Sequence, residues 1–422
     1  MANNFTSNVE KKIAKGFAAA FEKERVLSRT VNTSVVEGLF SPSSGATAYV
    51  KRPHQYTSLS TAAGDISGET KGSIISGLAP VTVQNYITVP LEWSEYYESL
   101  YMDDMETILR PAARQLVIDL ETKLNEFMVK NLGLTYGTLG TLVDAWSDVA
   151  GCGAMLDSLG VPSGDRYYIA NPFVQTLLAS ALQGVSNPSS SKVDTAFEEA
   201  KFGKKISGLQ PMTASSLYSW TNGACADLAG ALSANPDVTY VTAKDTMTQT
   251  LALKSLSAAG VITAGSTIEY TAIYHVNPRT GLPIRGVSGA LVPFRQTVVT
   301  GVTLDGSGTG SITVTPAAIY ESGGAYNNVS AAPVADTVVT VLGATATAYQ
   351  PSLFYHKDAI ALATIKLQKL DATNSVFTTA DGMSVRVCKY SDGDKNIQKI
   401  RFDILPAFGV LNPMFGGKSF GL

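Results

Sequence analysis

Only three histidines, His54, His275 and His356, occur in this chain of 422 residues, and none stands where a base or metal ligand would be useful. His54 follows Arg52-Pro53, His275 ends an apolar run before Asn277-Pro278, and His356 precedes Lys357-Asp358. A nucleophile needs a base and an orienting partner, and a phosphate cradle needs a glycine loop that opens a helix. The glycine-rich Gly306-Ser307-Gly308-Thr309-Gly310 instead joins two β-rich runs and reads as a turn. Asp103, Asp104 and Glu106 have the chemistry of hard-cation ligands, yet they sit where carboxylates favour the start of a helix. Asp392-Gly393-Asp394 resembles part of a calcium loop but lacks the later glutamate, so a hairpin turn accounts for it. Cys152, Cys225 and Cys388 are far apart and odd in number, the pattern of reduced, buried thiols. Asn4, Asn32 and Asn328 head glycosylation sequons, which mean nothing without secretion. The residues call for no enzyme activity, no metal and no cofactor.

Composition points elsewhere. Charged residues are 16% of the chain and hydrophobic ones 45%, where an ordinary soluble domain has about 25% charged. Charge is depleted at the cores of protein interfaces, so low charge suits a surface covered by further copies; a β-rich surface protein would share it. The net charge of −3 gives no basic field for gripping nucleic acid. Lys11-Lys12-Lys15, Lys51-Arg52 and Lys201-Lys204-Lys205 are short clusters of the kind that line solvated faces. No apolar leader segment and no run of about eighteen apolar residues is present, so the expectation is a chain made in a cytoplasm without a membrane span.

The elements that would position a function are clearest near the N-terminal third. Met105, Ile108, Leu109, Ala112, Leu116, Leu120, Leu124, Phe127 and Met128 recur three or four apart, which predicts a long helix from Met102 to Leu132. Gly133 stops it, and Pro111 either opens its main run or kinks it. Ahead of it lies a Gly/Ser/Thr-rich stretch, Ser41 to Pro90, without an apolar core. Tyr49 to Pro53 and Val81 to Val89 read as its two strands, the second alternating in period two. A lone two-stranded hairpin is marginal in water, so this stretch is expected to project as an arm that needs another subunit to lie on. Residues 7–27 predict an amphipathic helix with Val9, Ile13, Phe17 and Phe21 as its stripe, docking on its own core or on a partner.

Farther on, a helix is expected within Thr141 to Leu159 and a strand at Tyr167 to Ala170, with a helix after Asn171-Pro172 running to Leu182. A loop is expected at Ser186 to Ser191 and a helical turn at Phe197 to Phe202. From Val238 to Leu342 short β-runs alternate with turn clusters: Val238–Thr242, Thr250–Leu256, Thr267–His275, Thr297–Leu304, Ser311–Thr315 and Thr337–Leu342. They predict a small barrel or sandwich. Helix is expected again at His356 to Leu370, then a hairpin of Ser384 to Tyr390 and Ile397 to Leu405. A β-domain flanked by α+β chain reads as an insertion.

In this order of elements the chain resembles the major capsid protein of tailed bacteriophages, in particular the short-tailed branch that carries an inserted β-barrel. The matching stretches are Arg110-Pro111-Ala112-Ala113-Arg114-Gln115-Leu116, Glu121-Thr122-Lys123, the run Phe354 to Ala363, and Ile400 to Leu405. The resemblance implies an α+β capsid fold: a helical arm at 1–40, an extended hairpin loop at 41–92, and a peripheral domain with spine helix and the first part of an axial domain at 93–225. An inserted β-barrel would follow at 226–348, with completion of the first domains at 349–422. It implies self-assembly into hexamers and pentamers of an icosahedral shell around double-stranded DNA, with a scaffolding protein and a portal as further partners. Assembly would occur in a host cytoplasm and the product would be the virion shell. Lys51, Arg52, Asp65, Glu69 and Lys71 are the expected inter-subunit contacts, Pro111 the expected hinge of the spine, and Lys11, Lys12 and Lys15 candidates for the scaffold or inner face. An encapsulin-like container and a surface β-sandwich adhesin are the alternatives.

Overall fold

The structure is a computed structural model of the whole chain. It describes all residues except 1–16, 18–20, 23, 37, 39, 41–44, 62–63, 70–73, 95–104, 184–204, 226–227, 287, 322–323, 370–374 and 380, and without the side chains of 105–109 and 181–183. The chain divides into two compact units: Met1–Tyr49 with Val81–Asn125 and Ala361–Gly409, and Val50–Pro80 with Glu126–Ile360 and Val410–Leu422.

In the first unit, four antiparallel strands form a sheet in the order Ser375–Thr378, Ser384–Asp392, Ile397–Ile404, Ile87–Ser94. The hairpin at 384–404 lies where the alternation places it, with Ile400, Phe402 and Ile404 buried. Pro90 sits on the outermost strand, where a missing N–H need cost no ladder bond. The ring of Phe17 stacks on Phe402 at 4.2 Å and also meets Phe377. Phe17 and Phe21 of the N-terminal stripe therefore dock on their own chain; Val9 and Ile13 lie outside the described residues.

The spine helix runs Met105–Asn131, with Pro111 inside it and exposed. Ala112, Leu116, Leu120, Leu124 and Met128 are buried, as the stripe predicts, and Ala113 and Val117 are buried beside them. The helix passes from the first unit into the second at residue 125.

The second unit holds a five-stranded mixed sheet and a barrel. The sheet order is Leu134–Tyr136, Gly416–Ser419, Ser352–His356, Arg166–Ala170, Leu209–Thr213, with the two outer pairs parallel. Helices Trp146–Ser158 and Pro172–Gln183 cover it, burying Val149, Cys152, Leu156 and Leu178 against Tyr168, Leu209 and Phe354. The barrel closes in the order Thr267–Tyr274, Pro293–Thr300, Gly310–Thr315, Gln249–Lys254, Ala229–Leu232, Val338–Leu342 and back to Thr267–Tyr274. Leu251, Leu253, Ile268, Phe294, Val298, Ile312 and Val314 fill it. The barrel anticipated from the β-runs is present; its strand Ala229–Leu232, four residues long and without a β-branched side chain, was not anticipated.

Three expectations are corrected. His356 to Leu370 is not a helix: Ser352–His356 and Ile360–Thr364 are strands joined by one 3-10 turn. Ala359, Ile360, Ala361 and Leu362 are all fully buried, so both faces of the segment are covered and its continuous apolar run suits a buried strand better than a one-sided helix. Val81 to Val89 is not one strand but the ends of two, Leu78–Val83 and Ile87–Ser94, in different sheets. The N–H of Gln84 bonds the Pro406 carbonyl between them. Val238 to Thr242 is no strand, because Asp237 accepts from the Thr239 N–H and the Thr242 hydroxyl and winds the chain into the short helix Tyr240–Ala243. The predicted loop and turn at 186–202 lie outside the described residues.

Candidate assembly surface

Strands Thr47–Lys51 and Leu78–Val83 are neighbours in a four-stranded sheet whose order continues Pro406–Val410, Ile360–Thr364; the first leads out of it and the second leads back. Between them Pro53–Ser60 are exposed without a break, as are residues 64–69 and Ile74. Apolar side chains are among these: Tyr56 and Ile74 are each 69% exposed, with Leu59 and Ile66 beyond 40%. Isolated exposed apolar residues are normal, but four on one extended segment amount to a surface held away from the chain's own core.

The root of the segment is built differently. The guanidinium of Arg52 is buried and donates to the backbone carbonyls of Leu411, Asp245 and Val410, the last two at 2.8 and 3.2 Å. Burial pulls its pKa down to about 10, with Tyr240 and Asp245 opposing. The Arg52 N–H bonds the Gly77 carbonyl at 2.9 Å, closing the two limbs on each other. The Leu78 N–H donates to the Asp245 carboxylate, and the Gln55 N–H to the hydroxyl of Tyr326, whose ring stacks on Tyr240 at 3.5 Å. A Cβ on Gly77 would lie 2.5 Å from the Lys244 carbonyl oxygen, so only glycine lets the limbs close. Gly77→Ala is expected to destabilise the second unit by about 1–3 kcal/mol, the usual cost of overpacking, read as a lowered urea midpoint of the monomer.

The residues predicted for inter-subunit contact thus fall into distinct settings. Lys51, Asp65 and Glu69 are exposed on the segment, while Lys71 lies outside the described residues. Asp65 accepts the Ser67 N–H at 2.9 Å, which holds its carboxyl below the ordinary range and keeps it ionised. Arg52 is spent within its own chain. Strand period reveals this, since Tyr49 and Lys51 are exposed while Val50 and Arg52 are buried. Lys11, Lys12 and Lys15 lie outside the described residues.

In the first unit the spine helix carries a receptor for the chain leading from the N-terminus. The carboxylate of Glu121, buried in mid-helix, accepts the Val26 N–H at 2.5 Å and the Ser28 N–H and hydroxyl at 3.3 Å. Burial raises its pKa despite these bonds. Arg25 clamps the same turn through the Ser28 hydroxyl and carbonyl and through Asp381. Sequence periodicity places Glu121 beside the stripe but gives no sign of the three donors. Glu121→Ala leaves those donors without their acceptor and is expected to cost about 1–3 kcal/mol. Glu121→Gln, which keeps an acceptor oxygen, should recover most of that in the same unfolding measurement.

Among the described residues no group of His, Cys, Asp and Glu side chains could hold a metal ion, and no helix is long and apolar enough to cross a membrane.

Residues 1–421 match the protein family described as P22 coat protein, gene protein 5. The major capsid protein of Acyrthosiphon pisum secondary endosymbiont phage 1 is 34% identical over 426 residues, covering the whole of both chains. Solved structures with similarity include one from Mycobacterium phage Che8, at 10% identity and TM-score 0.48 over 93% of this chain and 90% of that one. The capsid of cyanophage P-SCSP1u is similar at 10% identity and TM-score 0.46, over 94% and 91% of the two chains.

Proposed function

Because this chain belongs to the P22 coat protein family, and is the major capsid protein of a phage, we propose that its exposed segment between Arg52 and Gly77 is the arm by which one subunit lies on the next. What supports this reading is the contrast between a seated root and an apolar, solvent-facing ribbon within one stretch of chain. Tyr56, Leu59, Ile66 and Ile74 supply burial on the neighbour. Lys51, Asp65 and Glu69, with Lys71, supply rim charges that set register more than affinity.

The shell so built is composed of hexamers and pentamers and encloses double-stranded DNA. With a net charge of −3 the wall does not grip phosphates, which leaves the genome free to be packed and released. A scaffolding protein and a portal complete the assembly, in the host cytoplasm, and the finished protein resides in the virion. Lys11, Lys12 and Lys15 of the N-terminal stretch meet the scaffold or the inner surface, while Phe17 and Phe21 dock on their own chain. Pro111 removes one spine-helix hydrogen bond and is where that helix bends as the shell expands. The family is structural, and the protein acts by assembly rather than catalysis. No particular observation favours an encapsulin-like container or an adhesin.

The test is electron microscopy of the purified chain, alone and with any small helical protein encoded beside it. Closed shells are expected; a species that stays monomeric at high concentration under both conditions overturns the reading.

A further inference from the structure

Lys418 is fully buried, in the strand Gly416–Ser419 of the five-stranded sheet. Its ammonium reaches across to the start of the barrel strand Thr267–Tyr274. There it donates to the Gly265 carbonyl at 2.7 Å and the Thr267 hydroxyl at 2.9 Å, and it lies 5.0 Å from the centre of the Trp220 ring. Two neutral oxygens and an indole face are all it has: among the described residues no carboxylate comes within ion-pair distance of it. The acidic group on the adjoining barrel strand, Glu269, is committed to Arg295 at 2.7 Å. Arg295 in turn donates to the Gly137 carbonyl, so this corner holds no spare negative charge.

A lone charge sealed from water is unfavourable unless a counter-ion compensates it, and the amine has a cheaper neutral form. The neutral amine keeps two N–H donors, enough for both oxygens, and gives up only the attraction to the indole. We propose that Lys418 is a proton-controlled pin between the barrel and the five-stranded sheet: the joint tightens when the amine releases its proton and slackens when it regains one.

The sign follows from linkage. Burial lowers the Lys418 pKa to about 7, while an exposed lysine remains near its model value of 10.5. Between those values the opened or unfolded chain binds the proton and the closed joint does not, so stability rises with pH by tenfold per unit from about 7 to about 10. Below 7 both states are protonated and the joint is at its weakest.

The neighbouring groups that burial shifts on the elements around the joint move away from that window. Burial takes His275 down to about 3, lowers His356 below the ordinary range and raises Cys152 to about 12. It raises the phenols of Tyr136, Tyr168 and Tyr270 as well. Burial raises the Tyr167 phenol of the sheet too. Tyr349, packed on Trp220, Tyr355 and Arg166 in the sheet, and Tyr274 and Lys254 on barrel strands are the remaining ionisable side chains of these elements.

The experiment uses the full-length monomer and two variants, Lys418→Met and Lys418→Arg. Urea midpoints are recorded from pH 6.5 to 9.5, with Trp220 emission followed in a background carrying Trp93→Phe and Trp146→Phe. The wild-type background should gain stability through this range, and its Trp220 emission should titrate with a midpoint near 7. Lys418→Met should lose both the slope and the titration. Lys418→Arg, charged throughout, should also be flat, at a stability no higher than that of the parent at pH 6.5. A parent that shows neither slope nor titration overturns the pin, as does a Lys418→Met protein that keeps them. If Lys418→Met does not fold, the presence or absence of the parent's Trp220 titration, and of its loss in Lys418→Arg, decides the matter.

Discussion

A chain from which Thr57–Glu69 has been excised is expected to fold, remain soluble and fail to close into shells. Its root should survive, because Arg52, Gly77, Asp245 and the stacked Tyr240 and Tyr326 lie outside the excision. The urea midpoint should therefore stay within error of the full-length monomer. What disappears is the ribbon bearing Tyr56's neighbours Leu59 and Ile66, along with Asp65 and Glu69. Burying a side chain such as Leu or Ile is worth about 1.5–3 kcal/mol, so losing two weakens each arm contact by about 3 kcal/mol or more, on the order of a hundredfold. A closed shell repeats that contact in every subunit, and the losses multiply. Sedimentation and electron microscopy read the outcome. Shells at the parent's yield from the excised chain would sink the arm's role without touching membership of the family. The milder Leu59→Ser with Ile66→Ser separates lost burial from lost length: if burial is what matters, it too should abolish closure at low protein concentration.

The other large effect is expected at Asp403. Its carboxylate is fully buried in the first unit and receives both Arg386, at 2.6 and 3.1 Å, and Arg401, at 2.7 and 3.0 Å, with the Thr88 hydroxyl at 2.7 Å. Arg386 is itself buried and also donates to the Gln368 carbonyl. Replacing Asp403 by Ala strands a desolvated guanidinium, and breaking such a pair from one side costs about 3–5 kcal/mol. Asp403→Asn, which keeps a carbonyl oxygen but loses the charge, should fall between Ala and the parent.

The pH dependence has a definite sign. Burial pushes the Asp403 pKa up, but hydrogen bonds from Arg401, Thr88 and Arg386 outweigh it and leave the group below its ordinary value of 3.8. A depressed folded-state pKa contributes stability above the unfolded value that is lost as pH falls through the folded one. The parent should therefore lose stability below about pH 4 more steeply than Asp403→Asn. Identical acid limbs for the two proteins would show that the carboxylate is not the group responsible.

The spine helix, the hairpin at 384–404 and the barrel were legible from local pattern. Leu116, Leu120 and Leu124 have only to recur at helical spacing, and Ile400, Phe402 and Ile404 at strand spacing, for the buried face to be known. The run from His356 to Leu370 misled for the converse reason. Ile360, Ala363, Thr364 and Leu367 fit one face of a helix, but the segment is covered on both faces, and periodicity carries no information about a second cover. The exposed segment was visible as a coreless stretch, whereas the anchoring of its root was not. Arg52 read as a rim charge beside Lys51, although strand alternation already set the two on opposite faces.

What the sequence by itself determined is the spine helix, the hairpin at 384–404 and the β-rich region that closes as the barrel, with the order in which they follow, because these depend on neighbours within a few positions. What only the tertiary structure decided is the fate of single charges. Arg52 meets carbonyls of Asp245 and Leu411, Glu121 meets the turn at Val26, Asp403 meets Thr88, and Lys418 meets Gly265. Whether a charge is solvated, paired or sealed alone depends on the dielectric and donors that remote strands bring to it, and no spacing along the chain encodes that distance.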